Sequence, residues 1–477
     1  MLTGIGTSGA YHAGVLKALD ESGVKIDLLV GSGAGAIAAA FGAVSAGAQV
    51  HGPGGFWHGV TWRSFYRLRP ALAAAAALFA FAAAVFFLPL VAGLVVGLLF
   101  PLLLLLDRVW PGLASRFLAP LREMPESLGG PYLAVLALPV VVLSLVALVL
   151  LVRFGRDRRR LLEAFESHLV ARGAESRLRR RLWAAARGAA PSPMPSSDAE
   201  LGRSYVALAS ENLGEPGFRE LILRALDLET GQVLPLVLVR DEHRTAFAAA
   251  RSRGSRLPPV PGVVDLRAPG GEALFFDAVV TGLLPPLAAP VRRVTFPRGG
   301  VFSGETHRLT DATLGAGTGI GEALAAGAEQ IILVTACPEA PAPPRRRRGR
   351  RALLDATLLA LERQALESDL RQAERINRMV ETLGHKTEEG ERAWEDPATG
   401  RLYRSFDLYV VRPEKRWLAP LDLDGAMDPA TEVVQTTGDL LERGHRDAYR
   451  LFVEPVVGAA PAPSAEVAVA ERQAVEL

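Results

Sequence analysis

Seven residues from Gly31 to Ile37 are arranged like a nucleophile elbow, the turn in which G-x-S-x-G presents a serine for covalent catalysis. They follow an apolar stretch that ends at Val30 and precede a run of small residues, which predicts the strand–turn–helix context of such a turn. In this register Gly33 stands at the nucleophile position, and the serine present, Ser32, comes one residue too early. The pattern therefore indicates a hydrolase turn that lacks its nucleophile.

A second glycine turn opens the chain, with Gly4, Ile5, Gly6 and Gly9 just before an apolar helical pattern. Backbone amides at the start of a helix can hold an anion. The spacing also matches the dinucleotide fingerprint, but that fingerprint needs a preceding strand and an acidic residue at the end of the next one. Neither is convincing here, so nucleotide binding is not favoured. The eight histidines have no metal-ligand spacing, and we expect no metal and no cofactor.

The bulk composition is that of an apolar chain without disulfides. Of its 477 residues 49% are hydrophobic, and the formal net charge of +2 says little about partners. Its one cysteine, Cys337, follows a strand-like apolar run, which predicts a core residue in a reducing compartment. A mean hydropathy of +0.21 is high for a purely soluble protein.

Two uncharged runs, 71–106 and 131–152, are long enough to cross a bilayer. They predict a transmembrane helical hairpin over 71–153. Arginines flank the hairpin on both outer sides, so the positive-inside rule predicts that both flanks are cytoplasmic and that the short loop faces out. We therefore expect an integral protein of the inner (cytoplasmic) membrane. Pro89 and Pro101 leave open whether the first run spans once or turns back.

Basic segments and a polar tail complete the organisation. An arginine-rich helical pattern within 154–204 is compatible with anionic lipid head groups or with a solvated charged helix. A second arginine run at 345–351 has no aromatic residues among its arginines, so nucleic-acid binding is not expected. The predicted parts are a first α/β segment (1–50), a linker (51–70), the hairpin (71–153), a basic juxtamembrane segment (154–204), a second α/β segment (205–455) and a disordered tail (456–477).

Several motifs, in order, resemble the patatin-like phospholipases. The matching stretches are the glycine turn and helix at 4–19, the elbow at 31–37, and, after the insertion, 221–239, 278–286, 309–334, 369–377 and 439–452. The resemblance implies an α/β, patatin-like three-layer fold with a mainly parallel sheet, interrupted here by an inserted transmembrane helical hairpin. It also implies hydrolysis of lipid acyl esters by a Ser–Asp dyad, with amides of the glycine turn stabilising the oxyanion.

Carried over by motif, the resemblance makes Asp311 the base and Gly33 the substituted nucleophile position. Ile5 stands where the oxyanion turn has a glycine, and Ser8 stands where it has a basic residue. Thr313 ends the motif that begins with Asp311, where a glycine or alanine is usual. Loss of the nucleophile alone removes on the order of a millionfold in turnover from serine hydrolases.

The sequence thus favours a membrane-anchored patatin-like protein that is catalytically impaired and binds membrane lipids, anionic head groups among them. The alternative is an active lipid acyl-ester hydrolase that uses Ser32 with Asp311. Against it, a shift of one residue displaces a hydroxyl by more than the reach of about 3–3.5 Å that nucleophilic attack requires.

Overall fold

The computed structural model describes residues 1–68, 169–188, 190–249, 262–285, 289–315, 317–339, 350–386, 392–397, 401–415, 418–428 and 432–454, and six isolated positions between 77 and 145. The chain forms two compact units. The first comprises Met1–Arg67 and Ala171–Leu477, and the second is Leu68–Val170. The first unit carries the sheet and the candidate site.

The described strands have two to eight residues. They are β1 (Leu2–Gly4), β2 (Leu28–Gly33), β3 (Arg67–Leu68), β4 (Leu169–Val170), β5 (Glu220–Asp227), β6 (Gln232–Leu238), β7 (Val264–Asp265), β8 (Arg292–Thr295), β9 (Thr306–Asp311), β10 (Gln330–Thr335), β11 (His385–Lys386), β12 (Arg392–Glu395), β13 (Leu402–Arg404), β14 (Asp407–Val411), β15 (Ala426–Met427) and β16 (Val434–Gln435).

The described helices range from one turn to more than nine. They are α1 (Ser8–Glu21), α2 (Ala34–Gly42), α3 (Ala48–His51), α4 (Trp62–Phe65), α5 (Arg172–Arg187), α6 (Asp198–Glu211), α7 (Asp241–Ala249), α8 (Phe275–Thr281), α9 (Ile320–Ala325), α10 (Arg350–Leu383) and α11 (Thr437–Phe452).

A central sheet runs in the order β14-β10-β1-β2-β5-β6-β7, with β9 pairing to β5 and β8 pairing to β9. Strands β14, β10, β1, β2 and β5 are mutually parallel, whereas β6 and β9 both run antiparallel to β5. Parallel neighbours bring their carboxyl ends to one edge of the sheet, and β1 and β2 end side by side there. The predicted α/β class with a mainly parallel sheet is confirmed.

Helices pack on both faces of this sheet because its central strands are apolar on both sides. Val30 lies in an apolar cluster with Ile320 of α9 and Ile376 of α10. The next residue, Gly31, faces α2 so closely that a β-carbon on it would come within 3.0 Å of Ala36. The sheet is therefore covered by α9 and α10 on one side and by α2 on the other.

The predicted transmembrane hairpin falls almost wholly outside the described residues. The six positions described between 77 and 145 are helical and exposed: Ala77, Ala80, Phe81, Ala84, Leu98 and Leu145. No helix in the described part of the chain is long and apolar enough to cross a membrane. The predicted tail, 456–477, also lies outside the described residues.

Most of the arginine cluster predicted to face lipid or solvent has partners within the protein. In α5, Arg177 donates to the carbonyls of Gly55 and His58, and Arg181 donates to the carbonyl of Gly54. Arg180 of the same helix is exposed. One face of α5 therefore attaches to residues 54–58, part of the segment that the sequence suggested was a linker.

Candidate active site

The elbow turn forms at the predicted place, between β2 and α2. Gly33 ends β2 with φ 58° and ψ −135°, and α2 begins at Ala34. A side chain in this conformation is strained, whereas glycine adopts it without cost. The backbone of the elbow is therefore present, and the residue at its apex has no side chain with which to react.

Asp311 lies beside this apex at the end of β9. Its carboxylate is fully buried, and Oδ1 accepts a hydrogen bond of 2.7 Å from the amide of Thr313. Oδ2 has no hydrogen-bond partner among the described residues. Burial raises the pKa of Asp311 to about 7, while the bonds from Thr313 act in the opposite direction. A carboxylate with that pKa can exchange a proton near neutral pH.

The space that a nucleophile would need at Gly33 is already filled by three oxygen atoms. A β-carbon on Gly33 would lie 2.6 Å from Asp311 Oδ1 and still closer to Thr313 Oγ1 and to the carbonyl oxygen of Gly4. Carbon and oxygen atoms that are not bonded do not approach below 3.0 Å. The site is therefore closed around glycine.

Three amides at the end of the glycine turn and the start of α1 donate to backbone carbonyls. Thr7 N donates to the Pro420 carbonyl at 3.0 Å, while Ser8 N and Gly9 N donate to carbonyls of Ile5 and Gly6 at 3.2 Å each. Oxyanion stabilisation needs donors that point at the reacting oxygen. Of the predicted turn residues Ile5 is completely buried, and Gly4 presents its carbonyl, an acceptor, towards the elbow. The ring of Trp57 lies against Gly9.

Ser32 makes its contact on the other side of the strand. Its fully buried hydroxyl accepts a hydrogen bond of 3.0 Å from Arg224 Nη1, and Arg224 also pairs with Glu322 at 3.0 Å. No hydrogen bond joins Ser32 to Asp311 in the part of the chain described here. A cavity of about 840 Å³ lies beyond Arg224, lined in part by apolar side chains of Phe247, Leu314, Leu361 and Ile376.

Two further buried groups surround the elbow. Tyr66 donates its phenol hydrogen to the carbonyl of Leu283 at 2.8 Å, and its pKa is raised by burial and then by the charge of Asp311. The neighbouring Gly282 packs against the carbonyl of Gly33. His12 is buried under β1 with Nε2 bonded to the carbonyl of Thr3, and burial lowers its pKa to about 3.

The structure thus brings together Gly33, Asp311 and Gly4, three residues that the sequence singled out, and separates Ser32 from them. Sequence reasoning missed Thr313 and Arg224 as members of the site. A charged residue inside the apolar strand β5 was a signal for Arg224. Thr313 was visible only as a departure from the motif. No histidine, cysteine, aspartate or glutamate cluster with the geometry of a metal site occurs among the described residues.

Fold and site together define an α/β protein with a hydrolase-type elbow and a buried carboxylate at its apex. The model of the patatin-like phospholipase family matches residues 1–90, and the resemblance is confirmed over that segment. The match extends past the first predicted α/β segment and includes both glycine turns. No curated protein matches the chain.

Proposed function

We propose that this protein is a membrane-anchored, patatin-like protein that binds acyl lipids and is impaired as an ester hydrolase. The observation that carries the proposal is the filled apex of the elbow: Gly33 has no side chain, and a β-carbon there would collide with Asp311, Thr313 and Gly4. A serine hydrolase needs both a nucleophile and the room for it beside its base. This site lacks both.

Lipid binding is proposed from the cavity that lies beyond Arg224. Its volume of about 840 Å³ is within the range of about 300–1,000 Å³ that is usual for small-molecule sites. Part of the wall is apolar and includes Leu361, which is 41% exposed. The rest is polar, with Arg224 on the side towards Ser32 and Gln364 and Asp369 among the other polar groups. An acyl chain fits such a wall, because each buried methylene contributes about 0.8 kcal/mol.

Membrane anchoring is proposed from the insertion. The uncharged runs at 71–106 and 131–152 suit a bilayer better than a globular core. Phe81, Leu98 and Leu145 are helical and more than 60% exposed, as lipid-facing side chains are. Strands β3 and β4, at the two ends of the insertion, pair with each other.

The full chain in detergent micelles, treated with a fluorophosphonate probe, tests the loss of hydrolase chemistry. We expect no labelling of the wild type above that of Asp311→Asn. Ser32→Ala is the matched control, since Ser32 is bound to Arg224 and not to the base. Labelling of the wild type that disappears in Ser32→Ala would establish the alternative, an active hydrolase with a shifted nucleophile.

A further inference from the structure

The side chain of Thr313 lies where the side chain of an elbow nucleophile would lie. Of the oxygen atoms around the apex, Thr313 Oγ1 is the one nearest to the position of a β-carbon on Gly33. Thr313 is 2% exposed, and its amide binds the same oxygen of Asp311, Oδ1, that crowds the apex. The hydroxyl of residue 313 therefore stands beside the base in place of the hydroxyl missing at residue 33.

Thr313 also orients the glycine turn. Its hydroxyl donates to the carbonyl oxygen of Gly4 at 3.5 Å, and this carbonyl is the second oxygen that crowds the apex. Gly4 has φ 153°, so its peptide can rotate more freely than that of a residue with a side chain. The same hydroxyl thus fills the apex and contributes a bond that keeps an acceptor pointed at it.

From these contacts we infer that Thr313 is the residue that blocks the elbow, and that residues 33 and 313 are a complementary pair. Glycine at 33 makes room for threonine at 313, and threonine at 313 excludes any side chain at 33. A serine placed at 33 alone has no space. Truncation of Thr313 to alanine removes the atom nearest to the apex and the hydrogen bond that holds the Gly4 carbonyl, so that this carbonyl can turn away. This inference rests on the proposed function, because it assumes that the elbow descends from an ester-cleaving site.

The experiment is fluorophosphonate labelling of the full chain in detergent, with the labelled residue located by peptide mass. The variants are Gly33→Ser, Thr313→Ala, the double variant Gly33→Ser/Thr313→Ala, and the double variant Gly33→Ser/Thr313→Val. In a reactive variant the new serine oxygen attacks phosphorus, a P–O bond forms, the P–F bond breaks, fluoride leaves, and the serine proton passes to Asp311.

We expect labelling at residue 33 in Gly33→Ser/Thr313→Ala that exceeds that of Gly33→Ser at least tenfold. Valine keeps the volume of threonine without its hydroxyl, so Gly33→Ser/Thr313→Val stays unlabelled. Equal labelling of Gly33→Ser and Gly33→Ser/Thr313→Ala overturns the inference, and so does a folded Gly33→Ser/Thr313→Ala that remains unlabelled.

A stability cycle keeps the inference testable if the serine variants fold poorly. Gly33→Ala, which adds only the β-carbon, should lower the thermal midpoint more in the wild-type background than in Thr313→Ala, because the added carbon then meets one oxygen fewer. Additive shifts contradict the pairing of 33 and 313. Binding of lipid by the wild type is measured separately, so its failure counts against the proposed function and not against this pairing.

Discussion

At the scale of single residues, the elbow has the backbone conformation of a nucleophile turn but no reactive side chain at its apex. Gly33 has the positive φ of the turn, and its neighbours fill the space around it with oxygen atoms. Asp311 is held there without a charged partner at its carboxylate, and its Oδ2 is unpaired among the described residues. A buried carboxylate of this kind opposes folding once it ionises, since water solvates it better in the unfolded chain.

Asp311 therefore makes stability depend on pH. Its pKa is about 7 in the folded protein, above the ordinary value of 3.8, so the folded state binds the proton more tightly. Stability should fall as the pH rises from about 4 to about 7 and be constant above that range. The difference in unfolding free energy between Asp311→Asn and the wild type should therefore shift in favour of Asp311→Asn by on the order of 3 kcal/mol from pH 5 to pH 8.

The measurement is the unfolding free energy of the α/β unit, followed by tryptophan fluorescence in detergent at both pH values. Asp27→Asn, at an exposed aspartate, is the control and should show no such gain. An equal pH response of the wild type and Asp311→Asn would mean that Asp311 is solvated in solution.

The turn residues were the most predictable part of the site, and their partners the least. A positive φ at Gly33 follows from three glycines between an apolar strand and a run of small residues, all local in sequence. The contact of Thr313 with that glycine joins residues 280 positions apart and depends on how β9 pairs with β5. No pattern in the neighbouring sequence indicates such a contact. Thr313 was therefore visible as a departure from the motif, but its contact with Gly33 was not predictable.

At the scale of elements, long apolar strands and amphipathic helices were predictable, and their exact extents were not. The apolar run at 331–334 is inside β10, and the stretch at 439–452, which resembled the family, lies in α11. The stretch at 369–377, which did so too, is a small part of α10, a helix of 34 residues. Strands of two residues, such as β7 and β15, carry too little pattern to predict.

Helix α10 provides a direct test of lipid binding because only part of its surface lines the cavity. Leu361 contributes to the cavity wall, whereas Leu353 of the same helix is 70% exposed and lies away from it. Leu361→Asp puts a charge against the acyl chain and should weaken binding of a fluorescent, non-hydrolysable diether phospholipid about tenfold or more, which corresponds to about 1.4 kcal/mol. Leu353→Asp is the matched control and should bind as the wild type does. Equal affinities would exclude this cavity as the acyl site.

At the scale of the whole molecule, the sequence divides into a sheet unit with charged surface residues and an insertion that consists largely of uncharged, apolar runs. The sheet unit buries its apolar residues and exposes charged ones, as in α5, where Arg180 faces outwards. The insertion has uncharged runs too long for a buried helix in a protein of this size. If the insertion crosses a membrane, as proposed, it must cross an even number of times, because β1, β2 and β5, from both sides of the insertion, build one sheet.

The proposed hairpin, with both of its flanks on the cytoplasmic side, predicts which sites an impermeant maleimide reaches in intact cells that produce the full chain. Ser115→Cys, in the loop between the two apolar runs, should be labelled from outside, because the sparse positive charge of that loop favours translocation. Ser176→Cys, at an exposed position of α5, should be labelled only after the cells are opened. The native thiol gives little background, since burial raises the pKa of Cys337 to about 12 and the thiolate is the reactive form. Labelling of Ser176→Cys in intact cells would reverse the orientation, and labelling of neither site until the cells are opened would mean that the insertion does not cross the membrane.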